Sequence, residues 1–347
     1  MPDVWKMGKK YLLLYDMKTL YNIAMGCYRL GVALVAPWNR KAKLWIDGRK
    51  NLLERVRASV DVSSPIIWVH VASLGEFEQG RPIIEKIKDA GIVGMGGATF
   101  PTHVKLSIPN GCKAEFLIIN GVECEPYLTS DHRTMLERGE ELLVGVEILK
   151  KALGVDRAII GVENNKPDAI ASLTSIIKEK KFAIEVEPLK VQYPQGGEKQ
   201  LIAAVTGREV PPPPALPIHV GAVVCNASTA LAVYEAVQKN KPLIERVVTV
   251  TGKDVKNPCN LLTRMGTPIS QLLEMAGGLP EGDVKVVNGG PMMGRAMVNV
   301  DSPVTKGCSG ITVFSGEEVR RVPTSECIKC AKCVAACPMG LEPYLLQ

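Results

Sequence analysis

Cys327, Cys330, Cys333 and Cys337 stand in the spacing C-x2-C-x2-C-x3-C, and Pro338 follows. That is the cysteine run of bacterial iron–sulfur proteins. Thiolates two residues apart can wrap one face of a [4Fe–4S] cube, and a fourth followed by proline points toward a second cluster. A zinc knuckle or a disulfide pair is the competing chemistry. Zinc sites favour two separated cysteine pairs, often with histidine, and this run has neither. The chemistry implied is one-electron transfer. The remaining six cysteines (Cys27, Cys112, Cys124, Cys225, Cys259, Cys308) are scattered. No signal-peptide cleavage pattern is visible, so a reducing compartment is expected rather than a disulfide framework.

A second group of residues could hold a phosphate or a flat ring. Gly91, Gly94, Gly96 and Gly97 punctuate the loop from Gly91 to Pro101, which also carries Phe100. Glycines let backbone amides approach a phosphate or flavin with no Cβ in the way. Lys105 lies just beyond and could meet a phosphate or the charge of a reduced flavin. Such a loop alone is a weak signal, and a tight turn is the alternative. Downstream, Phe116-Leu117-Ile118-Ile119 runs into Asn120-Gly121-Val122-Glu123-Cys124-Glu125-Pro126. An amide and two carboxylates then sit at one strand edge, or the stretch is a solvated turn.

The elements that must position these groups follow from hydrophobic periodicity. Residues 114–120, 157–162 and 183–189 read as strands, and 140–153 and 167–180 as helices. That alternation predicts a parallel sheet with helices on both faces. Ligands of such sheets bind at the carboxyl ends of the strands. Further on, 246–252 reads as a strand, 270–276 as a short helix and 283–288 as a strand ending in Gly289-Gly290-Pro291-Met292-Met293-Gly294. The prolines at 211–214 make a stiff extended loop.

The 347 residues suggest two or three domains, and a hydrophobic content of 46% allows a real core. The net charge of +6 is local: residues 1–60 hold twelve Lys and Arg against four Asp and Glu. The rest is close to neutral, so an anionic membrane surface near one end is a better partner than nucleic acid. From Tyr11 to Val35 an apolar helix carries one polar stripe (Asp16, Thr19, Asn22, Gly26, Arg29). It has no uncharged run of eighteen residues, so a spanning helix is not supported, while the flank Trp38 to Lys50 suits an interfacial anchor; an ordinary amphipathic core helix is the alternative. Pro65 to Val71 reads as a strand opening into a helix near Glu78 to Lys88.

Two family resemblances follow. Asn39-Arg40-Lys41-Ala42-Lys43-Leu44-Trp45 and Trp68-Val69-His70-Val71-Ala72-Ser73-Leu74-Gly75-Glu76-Phe77-Glu78-Gln79-Gly80-Arg81-Pro82 resemble the start of Kdo transferase, which adds 3-deoxy-D-manno-octulosonic acid to lipid A. The resemblance makes Glu76 the general base. It covers residues 8–88 only, a partial Rossmann-like piece. The glycine loop, Lys105, the N-G-V-E-C-E-P turn and the terminal cysteine run together closely resemble the C subunit of the Rnf complex. They are similar, too, to the NADH-binding flavoprotein subunit of respiratory complex I. This second resemblance covers residues 83–347.

It implies that Gly91, Gly94, Gly96, Gly97, Lys105, Asn120, Glu123 and Glu125 line an FMN pocket and that Phe100 stacks on the nicotinamide of NAD(H). Glu198, in Tyr193-Pro194-Gln195-Gly196-Gly197-Glu198-Lys199, would contact the nucleotide, and Asn226 the flavin phosphate. Val122 and Cys124 depart from the Asp and Ser of the complex I relatives, which weakens the expected flavin and nucleotide contacts. Relatives are expected to carry a further N-terminal domain and a second cysteine run. Cys327, Cys330 and Cys333 would then hold one cluster whose fourth ligand lies beyond Gln347, and Cys337 would serve another.

The fold expected is α/β. Residues 1–50 form a membrane-associated helix with a basic flank and 51–88 the transferase-like piece. Residues 89–240 form the parallel-sheet FMN/NADH-binding domain, 241–315 a small β-grasp module and 316–347 a truncated ferredoxin-like segment. The function expected is that of an electron-transfer subunit among other Rnf subunits, peripheral on the cytoplasmic face of a bacterial inner membrane. The two resemblances meet within residues 83–88, so a chimera is expected, with a genuine fusion as the alternative. Sugar transfer by the N-terminal part, or no function, are the rival outcomes.

Overall fold

The computed structural model describes residues 75–109, 111–320, 323, 325–337 and 341–345, with 30–32, 34–35, 37–39, 42–43 and 47; for 75–79 it describes backbone alone. The chain divides into two compact units, Met1–Val69 and His70–Gln347. In the first unit, residues 30–32, 34–35 and 42–43 are helical. Asn39 caps the later turn, its Oδ1 accepting from the Ala42 amide at 3.2 Å. Leu30, Leu34 and Trp38 are exposed. No helix among the described residues is long and apolar enough to cross a membrane. Most of the anchor helix and the whole 65–71 strand expected from the sequence lie outside the described residues.

The second unit begins with α1 (Gly75–Asp89) and the short α2 (Thr102–Leu106). There follow β1 (Phe116–Gly121), α3 (Ser130–Glu137), α4 (Gly139–Leu153), β2 (Arg157–Glu163), α5 (Pro167–Lys180), β3 (Ile184–Leu189), α6 (Glu198–Thr206), β4 (Ala222–Asn226) and α7 (Ala227–Lys239). The four strands form a fully parallel sheet in the order β3-β2-β1-β4. Leu117, Ile118 and Ile119 are all buried, as a strand covered on both faces requires. Ile118 and Val224 pack with Leu201 and Ile202 of α6 on one face. Helices α4 and α7 cover the other.

Helix α4 repeats Leu142, Leu143, Val146, Ile148 and Leu149 at helical spacing, and all are buried. Gly154, at φ +66, ends it in the left-handed conformation that suits glycine. Gly145 lets α7 approach: a Cβ there would stand 1.9 Å from the Ala230 carbonyl oxygen.

The sheet order places β4 beside β1, so the chain leaves the centre in opposite directions through β2 and β4. The carboxyl ends of β1 and β4 therefore flank a topological switch point, where open α/β sheets bind ligands. Asn120 and Asn226 face each other there in register. The sequence pattern does not disclose α3, β4 or α7. Helix α3 is mostly polar, and no loop separates β4 from α7, because Asn226 ends the strand and caps the helix.

The next module contains β5 (Glu245–Thr251), β6 (Cys259–Arg264), α8 (Ile269–Met275), β7 (Val284–Asn288), β8 (Arg295–Ala296) and β9 (Gly310–Ser315). Its mixed sheet runs β6-β5-β9-β7-β8, parallel only between β5 and β9. Val248, Val250, Ile269, Leu272, Val286, Ile311 and Val313 form its core. Beyond it, residues 325–331 have no regular structure and α9 (Lys332–Ala336) is a single short helix.

Candidate functional site

The glycine loop is closed at its base by two backbone bonds. Gly94 donates to the Phe100 carbonyl at 2.8 Å and Thr102 to the Ile92 carbonyl at 3.1 Å. Above them, the amides of Gly96, Gly97 and Ala98 make no well-formed hydrogen bond among the described residues. Gly97 sits at φ +133 with open space where a Cβ would stand. A Cβ on Gly96 would come within 3.3 Å of the Asn226 side chain. The Met95 amide donates to Thr229 Oγ1 at 2.9 Å, which fixes the loop to the first turn of α7. Thr102 Oγ1 is buried with no partner among the described residues. Phe100 is 49% exposed. Amides without a well-formed partner and an open glycine are the features of a cradle for an anionic or flat ligand.

Asn226 Oδ1 accepts from the Thr229 amide at 3.3 Å, and its Nδ2 donates to Asp131 Oδ2 at 2.7 Å. Ser228 Oγ donates to the other Asp131 oxygen. Across the switch point, Asn120 Nδ2 donates to the Gly196 carbonyl at 2.8 Å, and its Oδ1 accepts from the Val122 amide at 3.0 Å. This bond brings the Tyr193–Lys199 loop onto the N-G-V-E-C-E-P turn. The approach is tight: a Cβ on Gly196 would lie 2.6 Å from the Val122 carbonyl oxygen and 3.0 Å from Cys124 Sγ. Burial raises the Cys124 thiol above its ordinary value. Lys105 Nζ pairs with Glu198 at 2.7 Å and donates to the Val224 carbonyl at 2.9 Å.

The two acids of the turn have different partners. Glu123 accepts from Ser130 Oγ at 3.2 Å and from the Asp131 and His132 amides at 3.0 and 3.1 Å, capping α3. Burial, followed by the nearby Asp131, pushes its carboxyl up to about 7. Glu125 accepts from the Met292 and Met293 amides at 2.7 and 3.1 Å, so it ties the turn to the second module. Gly290 makes room for this, since a Cβ there would stand 2.4 Å from Glu125 Cγ.

Cys327, Cys330 and Cys333 are exposed and Cys337 is half-buried, all as free thiols. The Lys329 amide donates to Cys327 Sγ and the Leu341 amide to Cys337 Sγ, each at 3.4 Å. Among the described residues no three His, Cys, Asp or Glu are gathered to hold a metal ion, so the four thiols do not form a cage in this structure. Glu76 lies in the first turn of α1; Trp68 to Leu74, which carry the transferase resemblance with it, fall outside the described residues.

Sequence reasoning passes over Asp131, Ser228, Thr229, Arg246 and Lys306. One signal was available for Arg246: it shares the buried face of β5 with Val248 and Val250.

Residues 87–235 match the family model of the Nuo51 FMN-binding domain and residues 247–296 that of the SLBB domain. The chain is 48% identical over 261 residues to the C subunit of the proton-translocating ferredoxin:NAD(+) oxidoreductase complex of Clostridium ljungdahlii. It is similar to that protein. The match covers 75% of this chain and 56% of that relative. The C subunit of the Na(+)-translocating ferredoxin:NAD(+) oxidoreductase complex of Acetobacterium woodii is 46% identical over 75% of this chain and 58% of its own length. The C subunit of the ion-translocating oxidoreductase complex of Rhodobacter capsulatus is 44% identical, over 76% and 51%. The chain thus spans about half the length of these relatives. Among solved structures, an NAD+-reducing [NiFe]-hydrogenase in its H2-reduced state superposes with a TM-score of 0.59. That match has 22% identity over 76% of this chain and 56% of that one, a likeness of fold. Kdo transfer finds no support in these comparisons.

Proposed function

We propose that this chain is an electron-transfer subunit of a membrane-bound, ion-translocating ferredoxin:NAD oxidoreductase, with FMN and NADH bound at the β1/β4 switch point. The observation that carries the reading is the convergence there of the glycine loop, the Asn120–Glu125 turn, the Tyr193–Lys199 loop and Asn226. FMN, when bound, supplies the exchange between two-electron hydride chemistry with NADH and single-electron transfer.

The chain's own residues hold and orient. The amides of Gly96, Gly97 and Ala98 offer donors to the ligand. Asn226, at the N-terminus of α7, keeps one amide hydrogen beyond its bond to Asp131, where the helix dipole favours an anion. Lys105 holds a positive charge at the pocket edge, with Glu198 as counter-ion. Phe100, half exposed beside the loop, offers a face for a nicotinamide ring. Cys327, Cys330, Cys333 and Cys337 are the proposed cluster ligands on their spacing, and assembly of a cluster must draw these free thiols together.

We assign residues 89–240 to flavin and nucleotide binding, 241–315 to the SLBB-type module and 316–347 to the cluster segment. The basic N-terminus would face an anionic membrane surface on the cytoplasmic side, with other complex subunits as partners. A junction between two coding sequences at residues 83–88 is tested by reading genomic DNA across codons 80–92 on long single molecules.

Anaerobic reconstitution with FMN, iron and sulfide tests the main reading. A flavin absorbance band bleached by NADH, with about stoichiometric iron, supports it. Absence of both flavin and iron from the reconstituted protein overturns it.

A further inference from the structure

The glycine loop is held from below by residues of the second module. Arg246 on β5 is 3% exposed. Its Nη2 donates to the Met95 carbonyl at 3.3 Å, its Nη1 to the Lys306 carbonyl and its Nε to the Val247 carbonyl at 3.4 Å. Lys306 Nζ donates to the Gly91 carbonyl at 2.6 Å. Gly307 backs the same loop, where a Cβ would stand 2.8 Å from Thr99 Cγ2. The Leu243 amide bonds the Ala90 carbonyl at 3.0 Å. The loop is thus suspended between Thr229 and Asn226 on one side and the second module on the other.

The peptide geometry gives this arrangement a consequence. Carbonyl and amide of a trans peptide point in opposite directions. With the Met95 carbonyl turned toward the Arg246 guanidinium, the Gly96 amide is turned away from it. Gly96 is the first of five successive amides, Gly96 to Phe100, that have no well-formed bond among the described residues. A buried cation fixing the carbonyl is a stronger and more directional tie than a neutral donor.

We infer that Arg246 is a positioning residue for the ligand cradle, and that the second module completes the cradle instead of merely following it in the chain. Lys306 does the same at the Gly91 end of the loop. The inference deepens the flavin reading and rests on it for the identity of the ligand. The orientation of the loop does not depend on that identity.

The test uses the full chain as wild type, Arg246→Met, Arg246→Lys and Lys306→Met, with two readouts. The first is hydrogen exchange of residues 91–100 without ligand, and the second is titration with FMN. Arg246→Met is expected to speed exchange in the loop and to weaken FMN binding, each by about tenfold, as loss of a charge-assisted bond implies. Arg246→Lys should restore part of both, and Lys306→Met should produce a smaller loss. Unchanged loop exchange in a folded Arg246→Met overturns the inference. If that variant does not fold, unchanged exchange and affinity in Lys306→Met overturn it. Failure of the wild type to bind FMN sinks the flavin reading instead, and loop exchange still decides the positioning role.

Discussion

Glu123 illustrates how a sequence motif and a structural role diverge. Its carboxylate caps α3 through two amides and a hydroxyl. The same burial lifts its folded-state titration to about 7 from an ordinary 4.5. The raised value means the folded protein holds this proton more tightly than the unfolded chain does. Stability is therefore lost as pH rises from about 4.5 through about 7, opposite to the usual carboxylate. Melting temperature should fall across that window in the wild type and fall less in Glu123→Gln; parallel profiles would refute the assignment. Lys166 and Glu163 make a second residue-level case. They pair at 2.6 Å with side chains only 9% and 3% exposed. Lys166→Met leaves a buried carboxylate without its counter-ion and should cost about 3–5 kcal/mol in denaturant unfolding. The double variant Lys166→Met with Glu163→Gln should recover much of that loss. A single variant as stable as wild type would show that the pair contributes nothing.

Among the elements, the switch point depends on how closely α4 and α7 cross. Gly145 is the contact, with only 1.9 Å between its missing Cβ and the Ala230 carbonyl oxygen. Gly145→Ala gains helix propensity yet must push the helices apart. A Cβ this close to a backbone oxygen puts the cost at the upper end of the about 1–3 kcal/mol of overpacking, more than the ~1 kcal/mol by which alanine outranks glycine in a helix. The variant should melt several degrees lower and show weakened FMN binding, because α7 carries Asn226 and Thr229. An equal or higher melting temperature would mean that the helices separate without strain. The first turn of α7 matters for the same reason: Asn226 caps the helix, holds Asp131 and stands in register with Asn120.

Across the larger unit, the parallel-sheet domain and the SLBB-type module are bound by ties at both walls of the cradle. Arg246 and Lys306 hold the glycine loop, while Glu125 takes the Met292 and Met293 amides. Separating the modules breaks these bonds together. Residues 75–320 should consequently unfold in a single calorimetric transition, with equal van't Hoff and calorimetric enthalpies. Two resolved transitions would show that the modules are energetically independent. The cysteine segment lacks such ties: Cys327, Cys330 and Cys333 are exposed. Cys330→Ser should abolish iron uptake while leaving that transition unshifted, and iron retained at the wild-type level would remove Cys330 from the ligand set.

The alternation that builds β1 to β3 is legible in the amino-acid order, because runs such as Leu117-Ile118-Ile119 and the spacing of α4 are local patterns. So are the loops of the proposed site, since glycine at Gly96 and Gly97 and the amide at Asn120 can be read one residue at a time. The placement of β4 beside β1 is not local: it brings Asn226 opposite Asn120 across 106 residues of chain. Folding assigns Glu123 to a helix cap and Glu125 to an inter-module tie, roles that a turn motif cannot distinguish. It sets Arg246 of one module beneath the glycine loop of another, 151 residues away in sequence. Periodicity reports the face a residue buries. Only the folded chain, by setting which distant faces meet, reports what that residue is buried against.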